Sequence, residues 1–112
     1  MQGARQLAAA KPTFYDLVCF HCQQAAEKYL KALLQENGLT VPRTHDLEDL
    51  LTLILSFDSS VSKLRRSLAA LTPFAVDYRY PGETATKRDA LSSLHRAERV
   101  RREARRRLKL KP

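Results

Sequence analysis

The side chains best suited to chemistry fall in two short segments. Arg79, Tyr80 and Pro81, preceded by Tyr78, put a guanidinium and phenol rings on a turn. A guanidinium can hold a phosphate through two parallel hydrogen bonds, and a tyrosine ring can stack against a base. Binding residues gather on such turns. The plainer alternative packs Tyr80 into the core and pairs Arg79 with Asp77 or Glu27. In the second segment, Lys28 and Lys31 share the polar face of one helix with Gln24 and Glu27. His45 and Asp46 stand at the start of the next helix, where backbone N–H groups can meet an anion. The alternative there is a solvated face with i,i+4 pairs such as Glu27–Lys31.

The two cysteines, Cys19 and Cys22, have the spacing of half a metal site. Two further ligands are missing from the pattern, and His21 lies on another helix face. They read as buried thiols in a reducing compartment, with no metal. No P-loop, GxGxxG turn, nucleophile elbow or zinc-ligand set occurs, so no cofactor is expected.

Charge narrows the partner classes. The 112 residues hold 20 Lys+Arg against 12 Asp+Glu, a net of +8. Residues 96–112 alone carry nine basic and two acidic residues, which leaves residues 1–95 at +1. A basic end can attract a polyanion by counterion release. It has no aromatic residue, so it offers no stacking platform. The alternative is a charged helix end that suits the C-terminal dipole. No apolar run approaches the ~20 residues that span a bilayer. The N-terminus does not resemble a signal peptide, so no membrane association and a cytoplasmic location are expected.

The elements that must position these groups are helical. Residues 1–12 give a short or truncated first helix closed by Lys11-Pro12. Thr13 with Asp16 approaches a capping box for a helix over 14–37, ended by Gly38 and Pro42. Its apolar stripe is Tyr15, Val18, Cys22, Ala25, Tyr29 and Ala32, with Cys19, Ala26, Leu30 and Leu33 beside it. Thr44 is read as the cap of a helix carrying Leu47, Leu50, Leu51, Ile54 and Leu55. Val61, Leu64, Leu68 and Leu71 make a third stripe, bent or stopped at Pro73. Thr84 or Thr86 opens the last helix, with Ala90, Leu94, Ala97, Val100, Ala104 and Leu108 as its apolar line. Short links between amphipathic helices predict an all-α, up-and-down four-helix bundle with a short extra helix, and a single domain over 1–112.

Three pieces in order, QQAAEKYLKALL within 20–34, THDL at 44–47 and RYP at 79–81, resemble the HEPN domain family. The resemblance covers about residues 14–105. Members usually open with a longer first helix than residues 1–10 provide, which would leave apolar surface for an oligomer partner. The resemblance implies a helical bundle, a homodimer, and a nucleotide- or nucleic-acid-binding module. It further implies work beside a minimal nucleotidyltransferase, as substrate-binding subunit or toxin–antitoxin half. The ligand-binding set is then Lys28, Lys31, His45, Asp46, Arg79 and Tyr80, with nucleotide or RNA as ligand.

Ribonuclease members carry Arg-x4-6-His, with the pair facing its copy across the dimer. Arg88 and His95 give Arg-x6-His on one helix face. His suits handling of a 2′-hydroxyl proton, and Arg suits the developing phosphorane charge. This makes a metal-independent endoribonuclease the alternative. The Tyr that toxin members carry after the His is missing, and a solvent-facing pair is the plain reading. An interaction-only helical dimer is the third.

Overall fold

A computed structural model describes residues 12–75 and 83–110. Four α-helices and two 3₁₀ turns form a helical bundle, and no strand occurs among the described residues. Helix α1 spans Phe14–Glu36, α2 Leu47–Leu55, α3 Arg65–Leu71 and α4 Lys87–Arg107. The 3₁₀ turns are Ser59–Leu64 and Thr72–Phe74. The expected first helix at 1–10 and the Arg79-Tyr80-Pro81 turn lie outside the described residues.

The helix ends follow the local chemistry. Thr13 Oγ1 accepts from the Asp16 N–H at 3.1 Å, and Asp16 Oδ2 accepts from the Thr13 N–H at 2.9 Å. Thr86 and Asp89 form the same reciprocal box at the start of α4. Each box satisfies two N–H groups that the first turn would otherwise leave unpaired. At the far end of α1, Gly38 adopts φ +77. Its N–H donates to Gln35 O and the Leu39 N–H to Leu34 O, a Schellman closure. One cap moves. The second helix is capped by Asp46, whose side chain accepts from the Glu48 N–H, and not by Thr44. Thr44 Oγ1 instead accepts from the Asp46 N–H and fixes the turn before the cap.

Partner order gives the helix directions. On α1, Gln23 and Glu27 meet His45, while Leu33 and Asn37 border a hollow with Ile54 and Phe57. Helix α2 therefore runs alongside α1 in the same sense, and the 37–46 link returns the chain to make this possible. The chain then reverses: the Leu47 N–H donates to Thr72 Oγ1, so the end of α3 lies back beside the start of α2. Helix α4 runs antiparallel to this segment, with Arg96 reaching Arg66 O and Arg99 reaching Lys63 O.

Leu30, Leu34, Leu47, Leu50, Leu51, Ile54, Val61, Leu64, Leu68, Leu71, Val100 and Ala104 are fully enclosed. The expected stripes of α2 and of residues 61–71 supply most of them. On α1 the buried face is rotated from the expected stripe. Cys19, Gln23, Ala26, Glu27, Leu30, Leu33 and Leu34 face inward, while Ala25 is exposed. The link and α2 cover the side that carries Gln23 and Glu27, so these polar residues are enclosed. On α4, Leu94 is 51% exposed although it belongs to the expected apolar line.

Arg107 closes the lower end of the bundle. Its Nε donates to Asp58 Oδ2 at 2.9 Å, Nη2 to Ser60 Oγ at 2.7 Å, and Nη1 to Glu103 Oε1 at 2.7 Å. The Ser60 hydroxyl and Arg107 hold the Asp58 carboxyl below its usual range. Replacing Arg107 by Ala is expected to cost about 2 kcal/mol in urea unfolding, because two carboxylates lose a shared partner. Lys should recover less than half of this, since it lacks the planar fork.

Candidate functional site

The polar residues of α1 and the His45 segment meet in one network. Gln23 is fully buried. Its Nε2 donates to Glu27 Oε1 at 3.1 Å and to His45 O at 3.0 Å. Its Oε1 accepts from Gln24 Nε2 at 2.7 Å. Both hydrogens of the amide and its oxygen are thus used. Glu27, only 6% exposed, accepts from His45 Nδ1 at 2.9 Å on Oε1 and from Lys31 Nζ at 3.0 Å on Oε2. Burial by itself would push the Glu27 carboxyl up. The hydrogen bonds from His45, Lys31 and Gln23, with the Lys31 charge, outweigh burial and hold it below the usual range.

This geometry orients His45. An ionised carboxylate only accepts, so His45 Nδ1 carries the hydrogen toward Glu27. The ring is otherwise open to solvent, with 68% of the side chain exposed. Nε2 is then the ring nitrogen available to a ligand. A carboxylate behind an imidazole fixes its tautomer and ring orientation. Lys28 is exposed one turn from Lys31, and both border a shallow hollow formed with Ala32, Gln35, Leu39 and Val41. The structure therefore brings Lys28, Lys31 and His45 to one side of α1.

Asp46 belongs to the same corner but faces a different task. It caps α2, and its carboxylate and carbonyl accept from the Glu48, Asp49 and Leu50 N–H groups. The Leu47 N–H is taken by Thr72 Oγ1. Glu48 and Asp49 add negative charge to this first turn. The cationic side chains, not these N–H groups, are the part of the corner suited to an anion.

Arg88 and His95 are both exposed on one face of α4. Seven residues of helix separate them by about 10 Å of rise, and no hydrogen bond joins them among the described residues. Arg79 and Tyr80 lie outside the described residues. The cysteines are free and buried. Burial and the neighbouring Cys19 push the Cys22 thiol up to about 11, which leaves it a poor nucleophile. Among the described residues no group of three metal-ligating side chains occurs.

Two functional contributions escape a reading of the sequence. Gln23 and Glu27 sit where the helical wheel places a polar face, yet they are the buried clamp for His45. Asp16 also does more than cap α1: its Oδ1 accepts from the Ala85 N–H at 2.6 Å. It thereby joins the starts of α1 and α4 across 69 residues of sequence. The one sequence signal for the clamp is the i,i+4 pair of Gln23 and Glu27 in the first matching piece, with His45 in the second.

A model of one protein family, described as HEPN domain, matches residues 1–107. No curated protein and no solved structure matches the chain.

Proposed function

The chain belongs to the HEPN domain family, and from that premise we propose that it is a nucleotide- or nucleic-acid-binding module acting beside a minimal nucleotidyltransferase. It serves there as substrate-binding subunit or as one half of a toxin–antitoxin pair, in the cytoplasm and as a homodimer. The observation that carries the ligand reading is the Glu27-oriented His45 with Lys31 on the same carboxylate and Lys28 on the hollow that Lys31 borders. Two ammonium groups and an imidazole N–H, once protonated, suit the charge and hydrogen-bonding of a phosphate. Asp46 positions His45 by capping the helix that follows it. Arg79 and Tyr80, which lie outside the described residues, are proposed as further ligand residues, a phosphate fork and a stacking ring.

The test is titration with nucleoside triphosphates, followed by thermal shift and by amide NMR. Binding should raise the melting temperature and move the Lys28, Lys31 and His45 signals. Lys28→Ala should weaken binding about tenfold without altering the free protein's melting. Absence of any shift at millimolar nucleotide would end this reading.

The homodimer is supported by an apolar groove between α1 and α4. Val18, Cys22, Ala25, Tyr29, Leu94 and Ala97 line it, and Leu91 and Phe14 remain exposed nearby. Sedimentation should show a dimer at micromolar concentration, and Leu94→Glu should give a folded monomer. A wild-type monomer independent of concentration would overturn the dimer.

The ribonuclease reading draws on one observation, the common exposed face of Arg88 and His95. If it holds, RNA cleavage proceeds with chelator present and disappears in His95→Ala.

A further inference from the structure

The basic residues of the chain are not confined to its C-terminal helix once the chain is folded. Helix α4 packs antiparallel to the segment from Ser59 to Leu71. That segment carries Lys63, Arg65 and Arg66 and no acid. Along α4, Arg99, Arg102 and Arg106 recur at alternating spacings of three and four and are exposed. They share the face that begins at Arg88, a row about 27 Å long at 1.5 Å per residue. Packing of the two elements merges both sets into one ridge.

The ridge is ordered by main-chain contacts. Arg96 Nη1 donates to Arg66 O and Arg99 Nη2 to Lys63 O, each at 3.4 Å. Arg96 Nε is also held by Ser92 Oγ at 3.1 Å. These bonds use part of each guanidinium and leave its charge uncompensated. Among the described residues, no carboxylate lies within ion-pair distance of Arg66, Arg96 or Arg99. The acids beside the row are Glu98 and Glu103. Glu98 pairs with Arg101 and Arg102, and Glu103 with Lys63, Arg106 and Arg107. Cations outnumber acids on this face, and the surplus sits at its centre.

We propose that this α3–α4 ridge binds the phosphodiester backbone of a nucleic-acid duplex without reading its sequence. It rests on the nucleic-acid half of the function proposed above and places that contact on a surface separate from the His45 corner. Residues 63–71 and 87–107 contain no Phe, Tyr or Trp. Single-strand binders stack bases on such rings, so their absence favours a partner whose phosphates are already in fixed array. The character of the surface also argues against an acidic protein. Protein interfaces have an apolar or aromatic centre. Here the centre is charged, and the exposed large apolar side chains that border the row, Leu91 and Leu110, stand at its two ends. A strongly positive polar face is what protein–nucleic acid contacts present.

The experiment is fluorescence anisotropy of the full chain with a labelled 20-base-pair RNA duplex, the matching DNA duplex, and a single strand of equal charge, each across a salt series. Binding to both duplexes is expected to weaken with salt, with a slope of log K on log salt of about −4, or four neutralised phosphates. Arg99→Glu should lower duplex affinity about tenfold at 100 mM salt and flatten the slope. Arg43→Glu makes the same charge change on an exposed residue off the ridge and should change affinity less than twofold. The doubly conservative Arg66→Lys/Arg99→Lys variant should keep the affinity within threefold, which separates lost charge from lost fold. Equal weakening by Arg99→Glu and Arg43→Glu would overturn the ridge while leaving nucleic-acid binding in place. So would a single strand that binds tighter than the duplex, or polyglutamate that competes as well as the duplex. Nucleotide-induced thermal shifts in the Arg99→Glu protein report separately on the His45 corner, so loss of one reading is distinguishable from loss of the other.

Discussion

Replacing Glu27 by Ala should lower the unfolding free energy by about 3 kcal/mol, because a buried carboxylate that accepts three hydrogen bonds is lost and the buried Gln23 amide is left short of an acceptor. The carboxylate is the common acceptor for Gln23, Lys31 and His45. Without it, the Lys31 ammonium can turn to solvent, but the buried Gln23 amide loses one acceptor and His45 loses its anchor. For a domain of this size the expected fall in Tm is on the order of 10 °C. The link should loosen around His45, where the Gln23 bond to His45 O remains. Gln in place of Glu keeps a carbonyl acceptor for His45 and should recover about half the loss.

The pH dependence distinguishes the charged network from simple packing. The folded Glu27 carboxyl lies below its ordinary value of 4.5. Folding therefore favours its ionised form. The stability it contributes is fully present above the ordinary value and is lost as pH falls through the folded value. The gap between wild type and Glu27→Gln should be widest near pH 7 and should narrow below pH 4.5. Urea unfolding at constant ionic strength measures this. A gap that stays constant to pH 3 would assign Glu27 to packing alone.

The second large effect is expected at Asp16. This side chain is 3% exposed and accepts from the Thr13 N–H and the Ala85 N–H. Asp16→Ala removes both bonds and leaves the buried Ala85 N–H without its carboxylate. A hydrogen bond to a charged group is worth about 1.5–3 kcal/mol, and an unsatisfied buried donor adds to the cost. We expect a loss of about 2.5 kcal/mol. Asp16→Asn, which keeps one acceptor oxygen, should lose about 1 kcal/mol less. Hydrogen exchange offers the sharper readout: the Ala85 amide should lose protection in Asp16→Ala while amides at the centre of α2 keep theirs. Uniform loss across the chain would place Asp16 in global stability only. Ala85 follows Arg79, Tyr80 and Pro81 closely in the sequence. Asp16 fixes one end of the segment that carries two proposed ligand residues.

Much of the architecture was legible before any fold was known. Apolar residues at i, i+3, i+4 and i+7 marked α2, and the stripe Val61, Leu64, Leu68 and Leu71 marked the segment that forms the Ser59–Leu64 3₁₀ turn and α3, because a helical turn has no other way to bury them together. Thr13 with Asp16 marked the start of α1 because the spacing of three closes a box within one turn, while the start of α4 was left between Thr84 and Thr86, and the box with Asp89 decides for Thr86. Gly38 marked the end of α1 because the closure needs positive φ. These are local relations, contained within a few residues of chain. The second cap shows the limit even of local reading: Thr44 and Asp46 are both good caps, and the docking of Leu47 into the core selected Asp46.

The sequence by itself determined the helices, their caps, the buried leucines and the motifs that mark the family. Tertiary structure decided which neighbour each helix face would meet. Periodicity places Gln23, Glu27 and Lys31 on one side of α1, but it cannot say that the returning link will cover that side and turn two of them into a buried clamp for His45. Net charge assigns +7 to residues 96–112 and near neutrality to the rest. It cannot show that antiparallel packing of α4 on α3 sets Lys63 and Arg66 beside Arg96 and Arg99. Both outcomes depend on contacts between residues far apart in sequence, and only the folded backbone fixes those distances.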